Sequence, residues 1–135
     1  MLPFEFILDG PPVSQQTRRR ERLHAWKIFV RHQAELHWDG TTPPATEYVQ
    51  IKVTYFYEAV SMDVDNIVKP IQDALVGLVY VDDGQVTDIV VRKRHINNAF
   101  TSEHMSPILI EGLTRRNQFL HIVVAIAPNQ EDLDQ

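Results

Sequence analysis

Apolar and polar positions alternate weakly over residues 3–9, PFEFILD, which predicts a short strand. GPP at 10–12 breaks it. The period then lengthens. Leu23, Trp26, Val30, Ala34 and His37 recur every three or four residues, predicting a helix with one inward face. Ser14 or Thr17 is the expected cap. After the loop DGTTPPAT at 39–46, EYVQIKVTYFYEA returns to period two. Val49, Ile51, Val53, Tyr55 and Tyr57 share one face; Tyr48, Gln50, Lys52, Thr54 and Phe56 share the other. From Asn66 the period is helical again, through Ile67, Ile71, Ala74, Leu75 and Leu78, with Gly77 weakening the last turn. LVYV reads as a short extended piece and DDGQ as a turn. QVTDIVVRKRHI is a predicted strand with Val86, Ile89 and Val91 as core candidates. NNAFTSEHMS is a loop, and PILIEGL and QFLHIVVAIA are expected as two closing strands joined by TRRN. The order β-α-β-α-β-β-β predicts an α+β fold: a single mixed sheet with two main helices.

Composition adds bounds. The 135 residues suit one domain, expected over 1–128, followed by an acidic, flexible tail at 129–135. No apolar run reaches the roughly 18 residues of a membrane-spanning helix. The start, MLPFEFILDG, lacks the basic-then-apolar pattern of a secretory signal, so a cytoplasmic protein is expected. There is no cysteine, which excludes disulfides and thiolate chemistry. The six histidines show no metal-ligand spacing, and no phosphate-loop or nucleophile-elbow motif is present.

Net charge is −5, which taken alone argues against a polyanionic partner. Its distribution changes that. Acids concentrate in the tail (Glu131, Asp132, Asp134) and in MDVDNIVKPIQDALVGLVYVDDGQ, residues 62–85. Bases bunch on either side: Arg18, Arg19, Arg20, Arg22, Lys27 and Arg31 before, Arg92, Lys93 and Arg94 after. The first arginines crowd the start of a helix, where the dipole disfavours them, which hints at another use.

Within residues 62–85, each acid has an ordinary explanation. Asp65 or Asn66 can cap a helix of about 66 to 77. Lys69 can pair with Asp73 at i+4. Pro70 is expected in the first turn, where its missing N–H does least harm. Together they suggest more. Asp63 and Asp65 at i and i+2 can share a hard cation, which prefers oxygen ligands. Asp65, Lys69 and Asp73 share one helix face, and Asp82 and Asp83 follow in a turn that can fold back toward it. Spacing alone leaves open which of Asp82 and Asp83 points inward. An EF-hand is excluded, because Val68 and Ala74 stand where that loop requires Gly and Glu.

DVDNIVKPIQDALVGLVYVDDGQV resembles the signature of the RusA family of Holliday junction resolvases, roughly D-x-D-N-(apolar)-x-K-x-x-x-D-A-L-…-D-D-x-Q-(apolar). The resemblance is strong over residues 63–86, and extends more loosely to the opening strand followed by PPVS. It implies a RusA-like fold and a small homodimeric endodeoxyribonuclease of recombination and repair. Such an enzyme uses Mg²⁺, with Mn²⁺ as a substitute, and cuts four-way DNA junctions symmetrically to leave a 5′-phosphate and a 3′-hydroxyl. It assigns Asp63, Asp65 and Asp83 as metal ligands and, with Lys69, as catalytic residues. Asn66, Asp73, Asp82 and Gln85 match the pattern in supporting roles. Arg18, Arg19, Arg20, Arg92, Lys93 and Arg94 are the expected phosphate contacts. One departure is that EAVSM, 58–62, stands where family members often carry basic residues. The resemblance also implies a bacterial or phage-encoded protein, with no membrane partner. The alternatives are a non-catalytic binder of branched DNA and a metal-dependent nuclease or phosphohydrolase with another substrate.

Overall fold

The computed structural model describes residues 1–59 and 62–134. Among the described residues four strands and three helices alternate: β1 (Phe4–Asp9), α1 (Arg20–His37), β2 (Val49–Tyr57), α2 (Asp65–Leu75), β3 (Val86–His95), α3 (Pro107–Thr114) and β4 (Phe119–Ile126). A single 3-10 turn, Asp83–Gln85, leads into β3. The strands form one mixed sheet in the order β1-β4-β2-β3. β2 and β3 are parallel, and β4 runs antiparallel between β1 and β2. This is the expected α+β class with one mixed sheet.

Strand alternation builds the main core. Phe4, Phe6 and Leu8 of β1, Val49, Ile51, Val53 and Tyr55 of β2, and Leu120, Ile122 and Val124 of β4 project to one face. Helices α1 and α2 cover that face. α1 contributes Trp26, Val30 and Ala34, and α2 contributes Ile67, Ile71, Ala74 and Leu75. The expected inward residue His37 is exposed instead. The helix ends there and the chain turns extended at Trp38, whose ring takes the core position. Leu78 lies beyond α2, which stops at Leu75 before the left-handed Gly77 (φ +81).

The expected strand PILIEGL is a helix, α3. Ser106 accepts the backbone N–H of Leu109 through its hydroxyl, and Pro107 sits in the first turn. α3 packs on the opposite sheet face through Leu109 and Leu113 against Phe56, Phe119 and Ile7. Phe119 lies so close to Gly112 that an added Cβ would stand 2.4 Å from its ring. This second core explains why Phe56, on the β2 face shared with Gln50 and Lys52, is buried. β3 is an edge strand, and Ile89, expected in the core, is nearly half exposed.

Candidate active site

The acidic motif folds into two groups of side chains. The first is at the start of α2. Asp63 and Asp65 are exposed, and their carboxylates have no hydrogen-bond or ion-pair partner among the described residues. Neither they nor Asn66 caps the helix. Val64 occupies the cap position without a side-chain bond. The carboxylates are thus not consumed locally, and they lie at the positive end of the helix dipole, where negative charge is tolerated.

The second group lies one turn further along. Lys69 stands about 6 Å down the axis from Asp65, at 1.5 Å per residue. Its Nζ is 2.8 Å from Asp73 Oδ1 and 2.6 Å from Asp83 Oδ2. Lys27 of α1 reaches the other oxygen of Asp73 at 3.1 Å. The Gln72 amide nitrogen, from a buried side chain, lies 3.4 Å from Asp83 Oδ1. Hydrogen bonds donated to Asp73 and then to Asp83 raise the Lys69 pKa above its usual value, so it stays an ammonium. Burial opposes ionisation of Asp73, but hydrogen bonds from Lys69 and Lys27 outweigh it and hold its pKa below the ordinary range. Beneath them Tyr80 is buried and donates its hydroxyl to the Gln72 carbonyl at 2.7 Å. Burial, then the charges of Asp83 and Asp73, push its pKa strongly up.

Asp82 and Asp83 differ sharply. Asp82 accepts the Gly84 N–H at 3.0 Å and belongs to the turn. Gln85 completes the turn: its carbonyl oxygen accepts the N–H groups of Val81 and Asp82, both at 2.9 Å. Its amide donates to the carbonyls of Ala45 (2.8 Å) and Glu47 (2.9 Å). Asp83 alone faces α2.

Pro70 is not in the first turn but inside α2. Lacking an N–H, it cannot bond the carbonyl of Asn66, four residues earlier. That carbonyl instead accepts the backbone N–H of Gln15 at 3.0 Å. The proline therefore opens a docking point that ties the 10–19 loop to the start of α2. Ser14 and Thr17, the expected caps of α1, serve inside this loop and accept from Gln16 and Arg19. α1 begins with no side-chain cap.

The basic residues are divided. Arg18, Arg19 and Arg20 are exposed, but Arg20 is occupied by the carbonyls of Gln15 and Thr17, both at 3.1 Å. Arg22 lines a cleft of about 340 Å³ with the 12–17 loop and Met62, next in sequence to Asp63. Arg92, Lys93 and Arg94 alternate along β3. Lys93, in register with Tyr55, shares the α2 face and donates to the Met62 carbonyl at 3.1 Å. Arg92 is on the opposite face, 2.7 Å from the Thr54 hydroxyl, and Arg94 shares that face. The three cannot form one patch.

Sequence reasoning missed Lys27, Gln72, Tyr80 and Arg31. Arg31 of α1 donates to the carbonyls of Ala74 (3.3 Å) and Val76 (2.6 Å) and so closes the end of α2. Only the i+4 offset between Lys27 and Arg31 hinted at a shared partner. The proposed ligand acids are all-oxygen donors of the kind a hard divalent cation prefers. They do not converge: among the described residues, no group of three His, Cys, Asp or Glu side chains is close enough to hold a metal.

The family model described as Endodeoxyribonuclease RusA matches residues 12–101, a span that contains every residue of this site. Among curated proteins none matches the chain. No helix of the described residues is long and apolar enough to cross a membrane.

Proposed function

Because the chain belongs to the RusA family of endodeoxyribonucleases, the Holliday junction resolvases, we propose that it is a Mg²⁺-dependent resolvase with Asp63, Asp65, Asp83 and Lys69 as its working groups. The observation that carries this reading is the contrast at α2: two exposed carboxylates without partners among the described residues, one turn from a lysine that holds the inward-facing Asp83. Asp63 and Asp65 would hold the cation first, with Asp83 completing the oxygen set. A bound divalent ion lowers the pKa of its water and neutralises charge on the scissile phosphate. Lys69, as an ammonium, stabilises charge developing on the phosphate oxygens rather than acting as base. Asp73, with Lys27 behind it, keeps Lys69 on the site side of α2. Asp82 and Gln85 fix the turn that presents Asp83.

Positioning of DNA falls to Arg18, Arg19 and Arg22 on the loop side and to Lys93. Phosphate contacts of this kind orient the backbone without reading sequence. Arg92 and Arg94 would meet a different arm of a branched substrate. Two symmetric cuts require two sites, which a C2 homodimer supplies. The test is cleavage of an end-labelled synthetic four-way junction, with Mg²⁺ and with EDTA. Paired nicks with Mg²⁺ alone are expected. Equal cutting in EDTA, or full cutting by Asp63→Asn protein, defeats the reading. Cutting of flaps or RNA in preference to junctions redirects it to another substrate.

A further inference from the structure

Lys69 places its ammonium on the Asp83 oxygen that faces α2, at 2.6 Å, a site of negative charge that a metal would also seek. Its second contact is Asp73, which Lys27 also holds. Two lysines thus balance two carboxylates, and this group is internally neutral. Asp63 and Asp65, by contrast, have no ion-pair partner among the described residues. The other Asp83 oxygen, Oδ1, lies 3.4 Å from the Gln72 amide, so a divalent ion seated on those two acids competes with Lys69 for the charge of the Asp83 carboxylate.

We propose that Lys69 is a built-in competitor for the metal: it keeps Asp83 from a divalent cation in the resting chain and releases it when a DNA phosphate takes the ammonium. The inference rests on the metal-site reading above and deepens it. Lys69 contributes twice, first by weakening metal binding without substrate, then by contacting the phosphate. Linkage makes the coupling reciprocal: whatever factor the phosphate adds to metal affinity, the metal adds to phosphate affinity. The ammonium does not leave the site on release, because Asp73 retains it. The cluster therefore exchanges one anion for another, with no charge left unpaired.

The test measures Mn²⁺ binding to the full chain by calorimetry, without DNA. Lys69→Met should bind Mn²⁺ at least about 5-fold more tightly than wild type, the low end of ordinary coupling between sites. Lys69→Arg, which keeps the charge, should stay near wild type. The gain should vanish when Asp83→Asn is added to Lys69→Met. With Ca²⁺ as probe, a four-way junction should tighten binding to wild type and leave Lys69→Met unchanged. Equal or weaker Mn²⁺ binding by folded Lys69→Met, checked by circular dichroism, overturns the proposal. So does a junction that leaves wild-type affinity unchanged. Lys69→Gln gives the same reading should the Met variant fail to fold. Asp63→Asn separates this from the underlying reading. Mn²⁺ affinity unchanged by Asp63→Asn defeats the metal site itself. A weakened Asp63→Asn beside an unchanged Lys69→Met defeats the competitor role alone.

Discussion

The two ends of the acidic motif use the same residue type in opposite ways. At the start of α2, the side chains of Asp63 and Asp65 are exposed and serve no cap, pair or turn among the described residues. At the far end, Asp82 is spent on a turn and Asp83 on Lys69. A carboxylate that contributes nothing to the fold is available to a ligand. One that holds a turn is not. The difference separates residues whose loss should harm activity from those whose loss should harm stability.

The sharpest way to break that contrast is Asp63→Asn. Junction cleavage should fall about 10²–10³-fold, the loss typical of removing one electrostatic group from a reacting site. Thermal stability should stay within about 0.5 kcal/mol, as for other exposed positions without partners. A large drop in melting temperature would show that Asp63 supports the fold after all. Gln85→Ala should do the reverse. It removes the hydrogen bonds that tie the turn to residues 45 and 47, and should cost about 1–3 kcal/mol in denaturant unfolding. Gly112→Ala acts on the other sheet face. Its Cβ would press on the Phe119 ring, at about 1–3 kcal/mol, with metal binding unchanged.

The smallest expected effect is on pH dependence. The folded-state pKa of Asp73 lies below its unfolded value, so its ion pairs stabilise the fold above the ordinary aspartate range. That contribution is lost as acid takes the pH down through the folded value, below about pH 4. Asp73→Asn protein should show a shallower loss of stability across that window in urea titrations. An unchanged slope would mean that the lysines stabilise nothing there.

Much of this was legible in the chain. The alternation of β2 separated its two faces, and the spacing of Ile67, Ile71, Ala74 and Leu75 picked out the buried stripe of α2. The parity of β3 also carried a readable signal: three consecutive bases on a strand cannot share a face. PILIEGL misled because seven apolar-rich residues fit either period, although Ser106 before Pro107 is a helix-start signal. The caps failed for another reason. Ser14 and Thr17 precede α1 and Asn66 lies in the first turn of α2, but the partners they use are set by Pro70 and by the fold of the loop. Lys27 with Asp73, and Lys93 with Met62, join segments far apart in sequence, where no local pattern points. The motif supplied the candidate residues, and the tertiary fold decided which of them were already occupied.

The double anchoring of the Asp83 turn has a kinetic consequence. Gln85 fixes the turn from one side, and Arg31 and Lys27 fix α2 from the other. Neither backbone needs to move for Lys69 and Asp83 to part; rotation about side-chain bonds suffices. Such rotations in accessible side chains take picoseconds to nanoseconds. Partner exchange at this site should therefore equilibrate long before a junction is bound or cut, with no slow opening step to delay it.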